Sequence, residues 1–301
     1  MDTLSNLRTF LAVAHTESFS AAARELGIAP SVVTKRIGQL EAQIQGALFE
    51  RTTRRVRLTP VGRGHLPSVQ RVVADAEELF ANPIGARDQL QGQLRIKAPT
   101  SVTVCLIGPL LERFQRLYPL LHLEVVALDR AVNPAEEGFD LALTMMPDAY
   151  AGVVEEALCP MPRTACAAPR YLHERGQPRH PGDLKDHAIL NFLPTGSVWS
   201  FDSAAGRLSV KVQPRLNTNE AQLLLSAALA GNGIAILGDY LARPALDAGT
   251  LVPLLADFPL DAFWLKALLP ENRANVPKVQ ALVRHLRAEL AQPQHNPGLS
   301  R

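Results

Sequence analysis

Ser31, Thr34, Lys35 and Gly38 fall on one side of a segment whose other side carries Val33, Ile37, Leu40 and Ile44. The apolar set is spaced four, three and four, the period of a buried helix face. The polar set offers short hydroxyls, one cation and no bulk. That is the chemistry of a helix that enters a DNA major groove and bonds base edges. Downstream come Arg51, Arg54, Arg55, Arg57 and Arg63, with no acid between the first and the last. Guanidiniums clustered on a turn-like loop suit phosphates or a minor groove.

Several elements must hold these groups in place. Gly27 and Pro30 bracket a tight turn between an alanine-rich helix over 21–26, with Ser20 as its N-cap, and the polar-faced helix. A support helix over 5–16 presents Leu4, Leu7, Leu11 and Ala14 as its buried stripe, backed by Phe10, with Phe19 packed beneath. Thr59-Pro60 caps a further helix with Leu66, Val69, Val73, Ala76 and Phe80 as a heptad-like seam. That seam serves either a dimer contact or packing on the helix's own domain. Pro67 should kink this helix, and Asn82-Pro83 with Gly85 should stop it. A helical hairpin with a glycine turn is common by itself. The order of hairpin, polar-faced helix and acid-free basic loop is what points to DNA.

Charge distribution agrees. Residues 1–65 hold nine Lys/Arg and five Asp/Glu, a net +4, whereas the remainder is −2, so nucleic acid is expected at one end only. Cys105, Cys159 and Cys166 are too scattered for a disulfide framework or a zinc site and read as small core residues in a reducing compartment. MDTLSNLRTF lacks an export signal, and no run of about 18 apolar residues occurs, so the expected location is cytoplasmic. No G-x-S-x-G, H-E-x-x-H or phosphate loop is present, and the eight histidines never pair at ligand spacing. Gly231-Asn232-Gly233 precedes a strand rather than following one, which excludes a dinucleotide loop. Neither enzymatic activity, metal nor cofactor is expected.

Beyond a polar linker over 85–93 the pattern changes. Strands are expected over 94–98, 121–128, 139–145, 164–168, 189–192, 208–212, 234–237, 251–255 and 262–269. Helices interleave over 100–117, 220–230 and 277–290, the last on Val279, Leu282, Val283 and Leu286. Alternating strands and helices imply parallel sheets in two α/β units with a cleft between them.

The run AAARELGIAPSVVTKRIGQLE…LFERTTRRVRLTPVG resembles the winged helix–turn–helix of LysR-type transcriptional regulators. LRIKAPTSV, EEGFDLAL, ACAAPRYL, LAGNGIAIL and PKVQALVRHL extend the resemblance along nearly the whole chain. It implies a winged helix–turn–helix over 1–64, a linker helix and hinge over 65–90, and an effector domain over 91–293, followed by a tail over 294–301. The effector domain would resemble type 2 periplasmic binding proteins, with lobe 1 at about 91–163 and 265–293 and lobe 2 at about 164–264. The return of the last strand and helix to lobe 1 comes from the resemblance alone.

Carried over residue by residue, the resemblance places Pro30, Ser31, Thr34 and Lys35 on DNA, with Arg54 in the minor groove, while Arg51 and Arg55 read as phosphate contacts that set position. Arg51 also reads as a structural partner of Glu50. Helix N-termini at Thr100-Ser101 and Asn217-Thr218-Asn219 would face the cleft and offer free N–H groups to a small organic acid. Both also read as ordinary caps. The resemblance adds Thr144, Thr195 and Trp199 to the effector-binding set with Thr100, Ser101, Asn217 and Asn219.

Three departures stand out. Ala29 replaces a capping serine, and Gln45 replaces a glycine, so that the recognition helix should run one residue longer, to Gly46. Thr144 stands where many relatives carry arginine, which turns the expectation from strongly acidic effectors toward apolar or aromatic ones. The implied partners are double-stranded DNA with an imperfect inverted repeat, a small carboxylate or aromatic effector, a second copy in a homodimer or homotetramer, and RNA polymerase. Two rivals are a DNA-binding regulator without an effector and an exported solute-binding protein. The basic head and the missing export signal oppose the second.

Overall fold

The computed structural model describes residues 2–51, 56–81, 90–204 and 206–292. The chain opens with helices α1 (Thr3–Thr16), α2 (Phe19–Glu25) and α3 (Pro30–Ile44). A two-stranded wing follows, β1 (Phe49–Arg51) antiparallel to β2 (Val56–Leu58), and then α4 (Pro60–Ala81).

Local chemistry sets each boundary. Asp2 caps α1, its carboxylate accepting from the Ser5 N–H at 3.1 Å. Ser18, rather than Ser20, caps α2, because its backbone is extended and its hydroxyl reaches the Ala21 N–H at 3.2 Å. Gln45 itself adopts the left-handed conformation (φ +57°) and ends α3 at Ile44, so the helix is not lengthened. The buried side of α1 is also not the leucine stripe. Asn6, Thr9, Phe10 and Val13 are buried, and Leu4, Leu7, Leu11 and Ala14 are half-buried beside them. Phe10 packs tilted and Phe19 edge-on against Phe49, at 5.4 and 5.9 Å between ring centroids, which fastens the wing to the helices. Glu41 accepts from the Leu48 N–H at 2.9 Å and aims the chain into the wing. The Thr59 hydroxyl accepts from Gly62 N–H at 2.9 Å, so α4 starts at Pro60 as expected. The helix is continuous through Pro67 to Ala81. Val69 and Val73 are buried and Leu66 and Ala76 half-buried, whereas Asn82, Pro83 and Gly85 lie outside the described residues.

The body begins with β3 (Gly92–Ala98), α5 (Thr100–Val102), a π-turn (Thr103–Ile107) and α6 (Gly108–Leu117), which together make one continuous helical stretch after β3. Pro109 has no N–H for the Cys105 carbonyl, and the helix widens at that point. Then come β4 (Leu121–Ala127), α7 (Pro134–Glu137), β5 (Leu141–Thr144) and β6 (Val153–Met161). The second lobe holds β7 (Arg163–Ala167), α8 (Pro169–Arg175), β8 (Ile189–Phe192), the hairpin β9 (Val198–Phe201) and β10 (Leu208–Lys211), and β11 (Pro214–Thr218). It continues through α9 (Ala221–Leu229), β12 (Ile234–Gly238), α10 (Asp239–Asp247) and β13 (Val252–Pro253). The chain then crosses back as β14 (Phe263–Pro270), α11 (Glu271–Ala274) and α12 (Pro277–Leu290).

Two five-stranded sheets result, ordered β4-β3-β5-β14-β6 and β11-β8-β12-β7-β13. Strands β4, β3 and β5 are parallel, as are β11, β8 and β12, while β14, β6, β7 and β13 pair antiparallel. Each sheet is therefore mixed, which corrects the all-parallel expectation. Strand β6 escaped sequence reading because Glu155, Glu156 and Pro160 break its apolar pattern. It is an edge strand, where charge and proline are tolerated. In the second sheet, period-two alternation puts Ala165 and Ala167 in one core and Cys166 and Ala168 in another. Helix α12 buries Val279, Leu282, Val283 and Leu286 in the core of the first lobe.

Candidate DNA face and effector cleft

Helix α3 buries Val33, Ile37 and Leu40 and exposes Pro30, Ser31, Thr34, Lys35 and Gly38. Its N-cap, Ala29, makes no side-chain bond. The Thr34 hydroxyl donates back to the Pro30 carbonyl at 3.1 Å. Two neighbours are occupied inside the head. Arg36 reaches the Thr9 hydroxyl at 3.3 Å, and Gln39 accepts from Asn6 at 3.3 Å. Lys35 makes no hydrogen bond or ion pair among the described residues, so a cation stands free in the middle of the exposed face. Arg63 donates to the Leu58 carbonyl at 2.7 Å and braces the wing. Arg54, Arg55 and the Arg51 side chain lie outside the described residues.

In each lobe the chain leaves a central strand toward one neighbour and later returns on its other side. These reversals place the carboxyl ends of β3 and β5 opposite those of β8 and β12, the arrangement in which α/β sheets bind ligands. Two adjoining cavities of about 340 and 280 Å³ open there. Ser101, Thr195 and Trp199 line the larger and Thr144 the smaller, whereas Thr100, Asn217 and Asn219 line neither.

The bonding explains that division. Ser101 shares a 2.8 Å hydrogen bond with the Tyr240 hydroxyl and so ties the two lobes together. Burial pushes the Tyr240 phenol up to about 12. A second tie runs from the Gln222 amide to the Cys105 sulfur at 3.0 Å, and Cys105 is exposed rather than in a core. The expected free helix ends are both occupied. Asp129 accepts from the Thr100 N–H at 3.0 Å, and Glu220 accepts from the Gln222 N–H at 2.9 Å, so each N-terminus already holds a carboxylate. Asn217 accepts from Asn191 at 3.0 Å, and the Asn191 carbonyl accepts from the buried Trp199 indole at 2.8 Å. Thr195 donates to the Phe192 carbonyl at 2.8 Å, and Thr144 to the Asp148 carboxylate at 3.1 Å.

Sequence reading missed Lys97, Asp129, Arg163 and Tyr240. Arg163 donates to the Asp261 carbonyl at 2.8 Å and lies 3.6 Å over the Phe263 ring, and burial lowers its pKa to about 10. Among the described residues no group of three His, Cys, Asp or Glu could hold a metal, and no helix is long and apolar enough to cross a membrane.

A winged helix–turn–helix joined to a two-lobed α/β cleft defines a class in which a ligand-binding body carries a DNA-binding head. Comparison with known proteins gives the same division. Residues 4–63 match the bacterial regulatory helix-turn-helix protein model of the lysR family, and residues 87–291 match the LysR substrate binding domain. The HTH-type transcriptional regulator YhjC of Escherichia coli (strain K12) is 32% identical over 91% of this chain and 93% of its own. DmlR of the same organism is 31% identical over 99% of this chain and 97% of its own. The solved structure of CrgA, a LysR-type transcriptional regulator from Neisseria meningitidis, superposes with a TM-score of 0.62 at 27% identity, covering 96% of this chain and 99% of that one. The chain belongs to the LysR family. It is a DNA-binding transcriptional regulator with an effector-binding body, and not an enzyme.

Proposed function

We propose that this cytoplasmic regulator grips an imperfect inverted-repeat operator as a homodimer or homotetramer, and that a small organic molecule in the cleft alters the grip. The free, exposed Lys35 at the centre of the α3 face is the observation that carries this reading. Lys35 and Thr34 would read base edges, with Pro30 and Ser31 at the groove wall, Arg51 and Arg55 on phosphates and Arg54 in the minor groove. The half-buried row of Leu4, Leu7, Leu11 and Ala14, continued by Leu66 on α4, supports pairing with a second copy, which would complete its burial. Two α3 helices would then meet half-sites about 34–36 Å apart.

Ser101, Thr144, Thr195 and Trp199 are the sequence-derived residues that fit a cleft effector. A bound molecule would favour one arrangement of lobes and heads over another. RNA polymerase is the partner through which such a change would act. The test is footprinting on operator DNA that the protein selects from a random pool. Two protected arms about one helical turn apart are expected, with altered protection when a cleft ligand is added. A single protected arm, or selection of no common sequence, would overturn the reading.

A further inference from the structure

Lys97 is the penultimate residue of β3, is only 4% exposed, and lines the smaller cavity. It makes no hydrogen bond or ion pair among the described residues. The charges around it are committed elsewhere. Arg130 is held by both carboxylate oxygens of Glu137 at 2.8 and 2.6 Å. Asp129 caps the Thr100 N–H, and Asp148 accepts from Thr144. Asp148 and Asp129 offset part of the cost of burying this ammonium, but neither bonds it directly, so its N–H donors are left for a ligand oxygen. Nothing in the regular structure requires a lysine there, since Leu94, Ile96 and Ala98 of the same strand fill the core.

We infer that Lys97 is the anchor for the single carboxylate of an otherwise apolar effector, whose body occupies the adjoining larger cavity. The inference rests on reading the cleft as an effector site. The two cavities share Pro99, Asp129, Met145 and Phe192, so a single molecule would reach from one into the other. The larger is walled by Met161, Trp199, Leu260 and Phe263, which suits an aromatic or branched body, and Arg163 and Arg207, which also line it, are both bonded to Asp261. Arg130 lines the same cavity as Lys97 but is held by Glu137, and Asp129 and Asp148 add negative charge beside Lys97, so one carboxylate is accommodated better than a dianion such as a phosphate monoester. Those two carboxylates also oppose the burial that lowers the Lys97 pKa.

The test uses the full chain and a panel of benzoate, phenylacetate, 3-methylbutanoate and hexanoate, each beside its uncharged primary amide. Binding is followed by calorimetry and by melting temperature. At least one acid is expected to bind wild type ten-fold or more tightly than its amide. Lys97→Met should weaken that acid ten-fold or more while leaving the amide unchanged, and Lys97→Arg should retain the acid. If the acid binds Lys97→Met as well as wild type, or the amides bind and the acids do not, the anchor is overturned and the effector cleft stands. If no acid and no amide binds wild type, the anchor and the effector reading both fall, while operator footprinting still judges the DNA-binding half.

Discussion

Individual side chains divide by whether the fold has already used their bonding capacity. Lys35 is unused and exposed, whereas Arg36 one position on is spent on Thr9. Lys35→Ala should therefore cost about 1–3 kcal/mol of specific binding and relax the preference at one base position. Arg54→Ala should weaken binding to all sequences alike and reduce the salt slope by about one unit, which a titration across salt concentrations reads directly. Titration of buried groups makes a separate prediction. Burial raises the Cys166 thiol from 9.0 to about 12 and the Tyr240 phenol from 10.0 to about 12. Both keep their protons longer in the folded chain than in the unfolded one. The stability these two groups contribute is thus complete below about pH 9 and is lost as pH rises toward 12. Melting temperatures across that range should drop steeply in wild type and less steeply in Tyr240→Phe; parallel curves would refute the assignment.

At the level of elements, the recognition helix is held by its back and not by its ends. Ala29 is extended (φ −70°, ψ 145°), which is N-cap geometry without a capping side chain. Ala29→Ser should add a bond to a first-turn N–H and stabilise the head by about 1 kcal/mol, measured by urea unfolding. The opposite end is settled by Gln45 adopting a conformation that glycine usually takes, which keeps α3 short and leaves Gly46 to lead into the wing. Both N-termini that face the cleft receive carboxylates from their own lobes, so an incoming anion is better served by Lys97 than by a helix end.

Across the whole molecule, head and body meet where α4 crosses the first lobe. Gly138, at φ +73°, presses against Pro67, and a Cβ there would lie 3.0 Å from the Pro67 carbonyl. Arg71 reinforces the contact by donating to the Ala135 carbonyl at 2.7 Å. This junction joins the first lobe to the helix that follows the wing. Gly138→Ala combines left-handed strain with a close backbone contact and should lower the melting temperature by several degrees. An unchanged melting curve would show that the junction yields freely.

The head was legible because its signals are local. Gly27, Pro30 and the spacing of Val33, Ile37 and Leu40 need only the neighbouring turns to declare a helix and its faces. The order of strands and helices in the body was legible for the same reason, except where an edge strand such as β6 could do without the pattern. The interior of the cleft was not legible. Ser101 meets Tyr240 across 139 positions and Thr100 meets Asp129 across 29, and no periodicity links such pairs. Sequence alone thus determined where the helix–turn–helix lies and which residues of α3 are exposed. Only the tertiary structure decided which buried charges found partners. Charge pairing depends on distance through space, and loop closure sets that distance. By that measure Ser101 is spent on the other lobe, and Lys97 is left without a hydrogen bond or ion pair among the described residues.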